Sequence, residues 1–264
     1  MKSLLVAIFA PLIIVAFVLP AAAQLSLADI AEKESGTQKI AWEKTGETLY
    51  IMRWTLNKYE KDGQTFVKST LKGENIKKGD ERIEWNESSL MVFRPEGLRT
   101  LWWKKDSRGA EKMHWSLKYD WDARKVHYTF SDDISGKKEN KSNDFDADSL
   151  PGDAMNLMLR GFPFEKGAGT EIAANLLMGD GSGLRGRIIH RGEHKIKTAF
   201  GEIDAYKLEI KPAGALGLVA PDMFSYFTKA KPHIWLRADG RDEGLFKPRT
   251  KNNLVEYQPK GRIK

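Results

Sequence analysis

Apolar and polar positions alternate with a period of two over much of this chain. Tyr50, Met52, Trp54 and Leu56 fall on one side of an extended segment, and Ile51, Arg53, Thr55 and Asn57 on the other. That is the spacing of a half-buried strand. Asp62-Gly63 follows as a hairpin-type turn into Thr65 to Leu71, which predicts an antiparallel pair. Ser88 to Phe93 and Arg99 to Lys105 are further strands, separated by Pro95-Glu96-Gly97. Met113, Trp115, Leu117 and Tyr119 alternate on one strand and Val126, Tyr128 and Phe130 on the next, with Asp122-Ala123-Arg124 as the turn between them. The connections are too short for crossover helices, so the pattern predicts an antiparallel meander.

The stretch Asp132 to Asp148 is polar and poor in apolar residues. It reads as a surface loop, or as a hinge at 132–148 between two halves of one sheet. Beyond it, Pro151 and Gly161 bracket a short helix over Asp153 to Arg160. Strands resume at Glu171 to Met178, Gly186 to Arg191, Lys195 to Phe200 and Asp204 to Lys211, and later at His233 to Arg237, Leu245 to Thr250 and Leu254 to Gln258. Two further helices are expected. Leu25 to Ser35 has Ser26 three residues before Asp29, with apolar Leu27, Ile30 and Ala31, the layout of a capped helix. Pro221 to Thr228 carries Met223, Phe224, Tyr226 and Phe227, more apolar than a solvent-facing helix needs, so it is expected to cover an apolar opening.

The first residues change the picture from fold to address. Lys2 precedes an apolar stretch from Leu4 to Leu19, and Pro20-Ala21-Ala22-Ala23 closes it before Gln24. This is the three-part layout of a secretory signal, so 1–23 is read as a signal peptide cleaved after Ala23. A retained membrane anchor is the competing reading, but the apolar stretch is short and Pro11 interrupts it. The chain has no cysteine, which excludes a lipid-modified N-terminal cysteine and any disulfide. An exported protein of the Gram-negative periplasm is expected, with 24–264 as a single β domain.

Lys2 is the one charge in the signal, so the 43 basic residues become 42 against 36 acidic ones, a net charge of +6. Lys and Arg are scattered among nearly as many carboxylates, whereas a nucleic-acid footprint gathers them into one stripe. No nucleic-acid partner is expected. Peripheral contact with an anionic membrane surface is compatible with the mild positive charge.

Motifs that carry chemistry are few. His190-Arg191-Gly192-Glu193-His194 matches H-x-x-E-H, a zinc-protease pattern that needs a helix to put both histidines on one face. Here the flanks are β-like, and Arg191-Gly192 reads as a hairpin turn that splays the imidazoles apart. Gly181 to Gly186 satisfies G-x-G-x-x-G, but a strand follows in place of the helix a dinucleotide site requires. Asp144, Asp146 and Asp148 have calcium-loop spacing, yet Ser149 and Met155 stand where Gly and Glu are needed. No cofactor, bound metal or catalytic constellation is therefore expected. The distinctive feature is eight tryptophans: Trp42, Trp54, Trp85, Trp102, Trp103, Trp115, Trp121 and Trp235. Such side chains pack strands and equally line pockets for sugars or acyl chains, so a concave, aromatic-lined sheet is expected.

Three segments carry a resemblance: LPGDAMNLMLRGFPFEKG from Leu150, FGEIDAYKLEI from Phe200 and HIWLRADGRDEGLFKPRTK from His233. In this order they resemble a family of exported bacterial proteins known as a domain of unknown function. The resemblance implies a mainly β fold, an antiparallel meander curled into a half-open or partial barrel similar to periplasmic lipoprotein-carrier proteins, and it brings no catalytic residues. Two classes of function follow. The first is a non-enzymatic binding or carrier module for a lipid, acyl chain or lipoprotein, with Trp54, Trp115 and Tyr128 on the concave face and Met223, Phe224 and Phe227 on a covering helix. The alternatives are an exported envelope hydrolase acting through His190, Glu193 and His194, or a structural protein-interaction domain of the cell envelope. An integral outer-membrane barrel is disfavoured because both faces of several strands carry charge.

Overall fold

A computed structural model describes residues 29–78, 81–214, 222–241 and 249–260. The export signal, the start of the expected N-terminal helix and most of the expected strand at 245–250 lie outside the described residues. The first eight strands are β1 (Lys33–Trp42), β2 (Thr48–Lys61), β3 (Gln64–Lys78), β4 (Glu81–Arg94), β5 (Gly97–Gly109), β6 (Met113–Asp120), β7 (Lys125–Asp132) and β8 (Lys138–Asp144). A three-residue strand β9 (Ser149–Pro151) precedes the helix α1 (Met155–Met158) and the 3-10 turns Leu159–Gly161 and Phe164–Lys166. The chain continues with β10 (Glu171–Leu177), β11 (Gly183–Thr198), β12 (Gly201–Pro212), β13 (Met223–Thr228), β14 (Trp235–Arg241) and β15 (Arg249–Lys260).

All fifteen strands belong to one sheet, in the order β8 to β1, then β15 down to β9. The first and last strands pair at its middle, and each half is a meander. Every pairing is antiparallel except the short parallel contact of β9 with β10. The turn Asp62-Gly63 has positive φ at both residues, 51° and 70°, the conformation that matches a two-residue hairpin to strand twist.

The sheet curls until its two ends meet, but they meet through side chains. Leu177 on β10 packs into one buried cluster with Leu117 on β6 and Val126 on β7. Asn143 on β8 donates to the Asp180 carbonyl at 3.5 Å. No backbone ladder joins β8 to β9 or β10, so the sheet is not closed into a barrel. On the concave face, register aligns Gly36, Trp54, Leu71, Glu87, Lys105, Trp115 and Phe130 in a row from β1 to β7. A second row crosses the other half: Ile40, Asn252, Ala238, Ser225, Leu208 and His190. The helical segment fills the space between the halves. Met158, Leu159, Phe162 and Phe164 pack with Leu56, Val67 and Met91 on one side and with Ile188, Leu208 and Phe227 on the other.

Four expectations are corrected. The apolar segment expected as a covering helix, Pro221 to Thr228, is strand β13 from Met223 onward, hydrogen-bonded between β12 and β14. It is apolar on both sides because Phe227 enters the main core, while Phe224 and Tyr226 lie under Lys207 and Arg237 on the opposite face. Lys33 to Ser35, expected to end the N-terminal helix, begin β1, where Glu34 is buried. The polar stretch 132–148 contains β8, an edge strand whose exposed, charged residues are what a free edge tolerates. Finally, Arg191-Gly192 is not a hairpin turn. It is a bulge within the single strand β11, where the pairing with β12 shifts register between His190 and Glu193 and Gly192 takes φ 87°.

Candidate ligand-binding site

A cavity of about 100 Å³ lies between the concave face of the sheet and the helical segment. Met52, Trp54, Leu56, Ser69 and Leu71 form its wall on β2 and β3. Asp153, Asn156, Leu157 and Arg160 face them from the helical segment, and Ile234 and Trp235 border it at the start of β14. Alternation on β2 and β3 aims these side chains inward. On β1, Gly36 leaves the room that the Trp54 ring occupies, since a Cβ there would lie 2.6 Å from the indole.

The opposite wall is held by Arg160. Its Nη1 donates to Glu34 Oε2 at 2.8 Å, its Nη2 to Glu34 Oε1 at 3.2 Å and to the Asp29 carbonyl at 2.7 Å, and its Nε to the Pro232 carbonyl at 3.0 Å. This ties the helical segment to the start of β1 and to the approach to β14. Arginine suits the position because its planar fork can serve several acceptors at once.

Two polar groups of the cavity wall lack full support, the Trp54 Nε1–H, which has no acceptor, and the Asp153 carboxyl. The Tyr119 hydroxyl donates to its Oδ1 at 3.4 Å, and its Oδ2 is buried without a partner. Burial, followed by the like charge of Glu87, pushes the Asp153 carboxyl up to about 7. Burial also pushes the Tyr119 hydroxyl well above the usual phenol range. Glu87 itself accepts from Trp103 Nε1 at 3.2 Å and lies 3.3 Å from Lys105 Nζ.

Past the cavity, the concave face continues as aromatic rings with lysines laid over them. Lys105 Nζ sits 4.6 Å from the Trp85 ring and 5.8 Å from that of Trp115. Trp115 packs on Phe130 at 5.5 Å, and Lys141 lies 5.7 Å from the Tyr128 ring. Such contacts let apolar rings and charged heads share one surface.

Of the residues singled out from sequence, Trp54 lines the cavity and the other five lie elsewhere. Trp115 is on the aromatic continuation, and Tyr128 belongs to the cluster at the seam between the sheet ends. Met223 and Phe227 pack into the core, and Phe224 faces Lys207 at 3.7 Å. Sequence reasoning missed Asp153, Leu157 and Trp235. Trp235 carried a signal as an apolar strand position; Asp153 carried none beyond its place at the start of the helix.

The H-x-x-E-H residues do not converge. His190 is buried between Phe164 at 5.5 Å and Tyr206 at 5.2 Å, with both ring nitrogens unpartnered. Glu193 pairs with Lys229 at 2.6 Å, and His194 is exposed beyond the bulge. Among the described residues no group of three His, Asp or Glu side chains is placed to hold a metal ion. Asp144 pairs separately with Lys125 at 3.1 Å, and the Gly181 to Gly186 segment opens strand β11.

The sheet and its contents define a β-barrel-like protein with an open seam and an internal helical plug. The chain belongs to the family of proteins of unknown function DUF3108, whose family model matches residues 37–250. No curated protein matches it in sequence. Among solved structures, a β-barrel-like protein of the domain of unknown function DUF1849 from Brucella abortus superposes with a TM-score of 0.52 at 7% identity, covering 87% of this chain and 98% of that one. A protein described as exported, with a YmcC-like fold, from Bacteroides fragilis gives 0.37 at 8% identity over 87% and 97% of the two chains. A protein described as a lipoprotein from Parabacteroides distasonis gives 0.32 at 10% identity over 86% and 95%. At these identities the likeness is one of fold alone, and the last two overlap loosely.

Proposed function

We propose that this protein is an exported, non-enzymatic carrier that binds a lipid, an acyl chain or the lipid part of a lipoprotein in the Gram-negative periplasm. The supporting observation is the mostly apolar cavity lined by Trp54, Leu71 and Leu157, with the ring pair Trp115 and Phe130 farther along the same face of the sheet. A volume of about 100 Å³ corresponds to about three water-sized groups, so the cavity takes the end of a chain and the remainder lies outside it, with the half-buried Trp115 as a contact. The signal-like segment 1–23 supports export, and 24–264 is the unit that carries the ligand. The mild positive charge supports brief contact with anionic membrane, where a chain is picked up or delivered.

The test is mass spectrometry of an organic-solvent extract of the mature chain, purified from periplasm without detergent. A lipid or acyl compound in stoichiometric amount is expected. An extract free of such compounds from protein that also takes up no added acyl probe contradicts the proposal.

A further inference from the structure

Within the cavity just proposed as the ligand site, Asp153 is a carboxyl without a counter-ion. Tyr119 on β6 gives its Oδ1 one long hydrogen bond of 3.4 Å, and Oδ2 is shut off from solvent with no partner. The charged groups around it are engaged elsewhere. Glu87 on β4 has the same sign as Asp153 and is matched by Lys105 at 3.3 Å. Arg160, on the same helical segment, is held by Glu34 and by the carbonyls of Asp29 and Pro232. No lysine or arginine among the described residues lowers the Asp153 carboxyl. A carboxylate taken out of water without a cation or a full set of donors is costly, and a bound group that supplies both removes that cost.

We infer that the cavity selects an amphiphile bearing a protonated amine, whose ammonium pairs with Asp153 while its apolar chain packs against Trp54, Leu71 and Leu157. This rests on the cavity being the ligand site. Amphiphiles with a carboxylate or phosphate at this position are rejected, because Asp153 carries the same sign and the like charge of Glu87 adds to it. The raised carboxyl at about 7 supports the assignment: amine binding strengthens as Asp153 ionises, so affinity falls on acidification through neutrality.

The experiment is a tryptophan-fluorescence titration of the mature chain with decylamine, decanol and decanoate at about pH 8, reported by Trp54 and Trp235 at the cavity wall. A charge-assisted bond predicts decylamine binding about tenfold or more tighter than decanol, with decanoate weakest. Asp153→Asn removes the amine preference, so that decylamine and decanol bind alike, and circular dichroism checks that the variant is folded. Equal affinities for decylamine and decanol in the native chain overturn the inference without recourse to any variant, as does an amine preference that survives in Asp153→Asn. In either case, decanol binding that is lost in Leu157→Trp leaves the cavity standing as a chain site. Absence of binding by all three probes overturns both readings.

Discussion

Arg160 and Glu34 form a two-pronged ion pair at 2.8 and 3.2 Å across 126 residues of sequence, with both side chains buried. Glu34 also accepts from the Ala31 backbone N–H at 2.9 Å. The pair joins the first strand to the helical segment that roofs the cavity, so cavity shape and core stability depend on the same contact.

Removing one partner leaves the other buried and uncompensated. Arg160→Met or Glu34→Ala is expected to lower unfolding free energy by about 3–5 kcal/mol, measured by urea denaturation. The double variant Glu34→Ala/Arg160→Met is expected to lose less than the sum of the single losses, because no lone charge remains. Additive losses would show that the pair is not coupled.

Asp153 gives stability a dependence on pH. Its carboxyl in the folded chain, about 7, lies above the ordinary 3.8, so the folded chain holds a proton there that the unfolded chain releases. Its contribution is therefore full below about pH 4 and is lost as pH rises to about 7, a change of roughly 2–4 kcal/mol. Asp153→Asn removes this component. Denaturation midpoints of the two proteins should diverge in that window, with the variant relatively more stable at the upper end; parallel pH profiles would contradict the burial of this carboxyl.

Much of the fold was legible because half-buried strands alternate. The strand faces that carry Trp54, Trp115 and Phe130 follow from period two, and Asp62-Gly63 marks its own turn, whereas the row that aligns them is set by the pairing register. Errors arose where alternation vanished. Met223 to Thr228 is apolar on both faces because β13 is an inner strand covered outside by Lys207 and Arg237, so its pattern imitates a buried helix. Lys138 to Asp144 has no apolar residue and resembles a loop, since a free sheet edge selects charge. Ser26 and Asp29 suggested a helix cap, but Glu34 is drawn into β1 by Arg160, a partner that no local pattern shows. The cavity was legible only as Trp54, because Asp153 and Leu157 reach that tryptophan through the curl of the sheet.

The seam between the sheet ends depends on Leu177, which is 1% exposed and packs across it on Leu117 and Val126. Leu177→Ala should cost about 2–5 kcal/mol. Amide exchange should accelerate in β7 and β8 more than in β1 and β15, because no ladder holds the seam. A uniform acceleration would mean that the seam opens only with global unfolding.

Gly73 faces Trp85 across β3 and β4, and a Cβ on Gly73 would fall 2.3 Å from the indole. Gly73→Ala should therefore displace the Trp85 ring at a cost of about 1–3 kcal/mol, with a changed tryptophan emission spectrum. An unchanged spectrum and stability would show that the ring does not lie flat on this glycine.

A ligand chain is proposed to enter the cavity between Trp54 and the helical segment. The most direct measurement is nuclear magnetic resonance of the eight indole N–H groups of the mature chain during titration with decanol. Shifts concentrated on Trp54 and Trp235, and abolished by Leu157→Trp, are predicted. Shifts spread over all eight indoles, or largest at Trp42 and Trp102 away from the cavity wall, would contradict it.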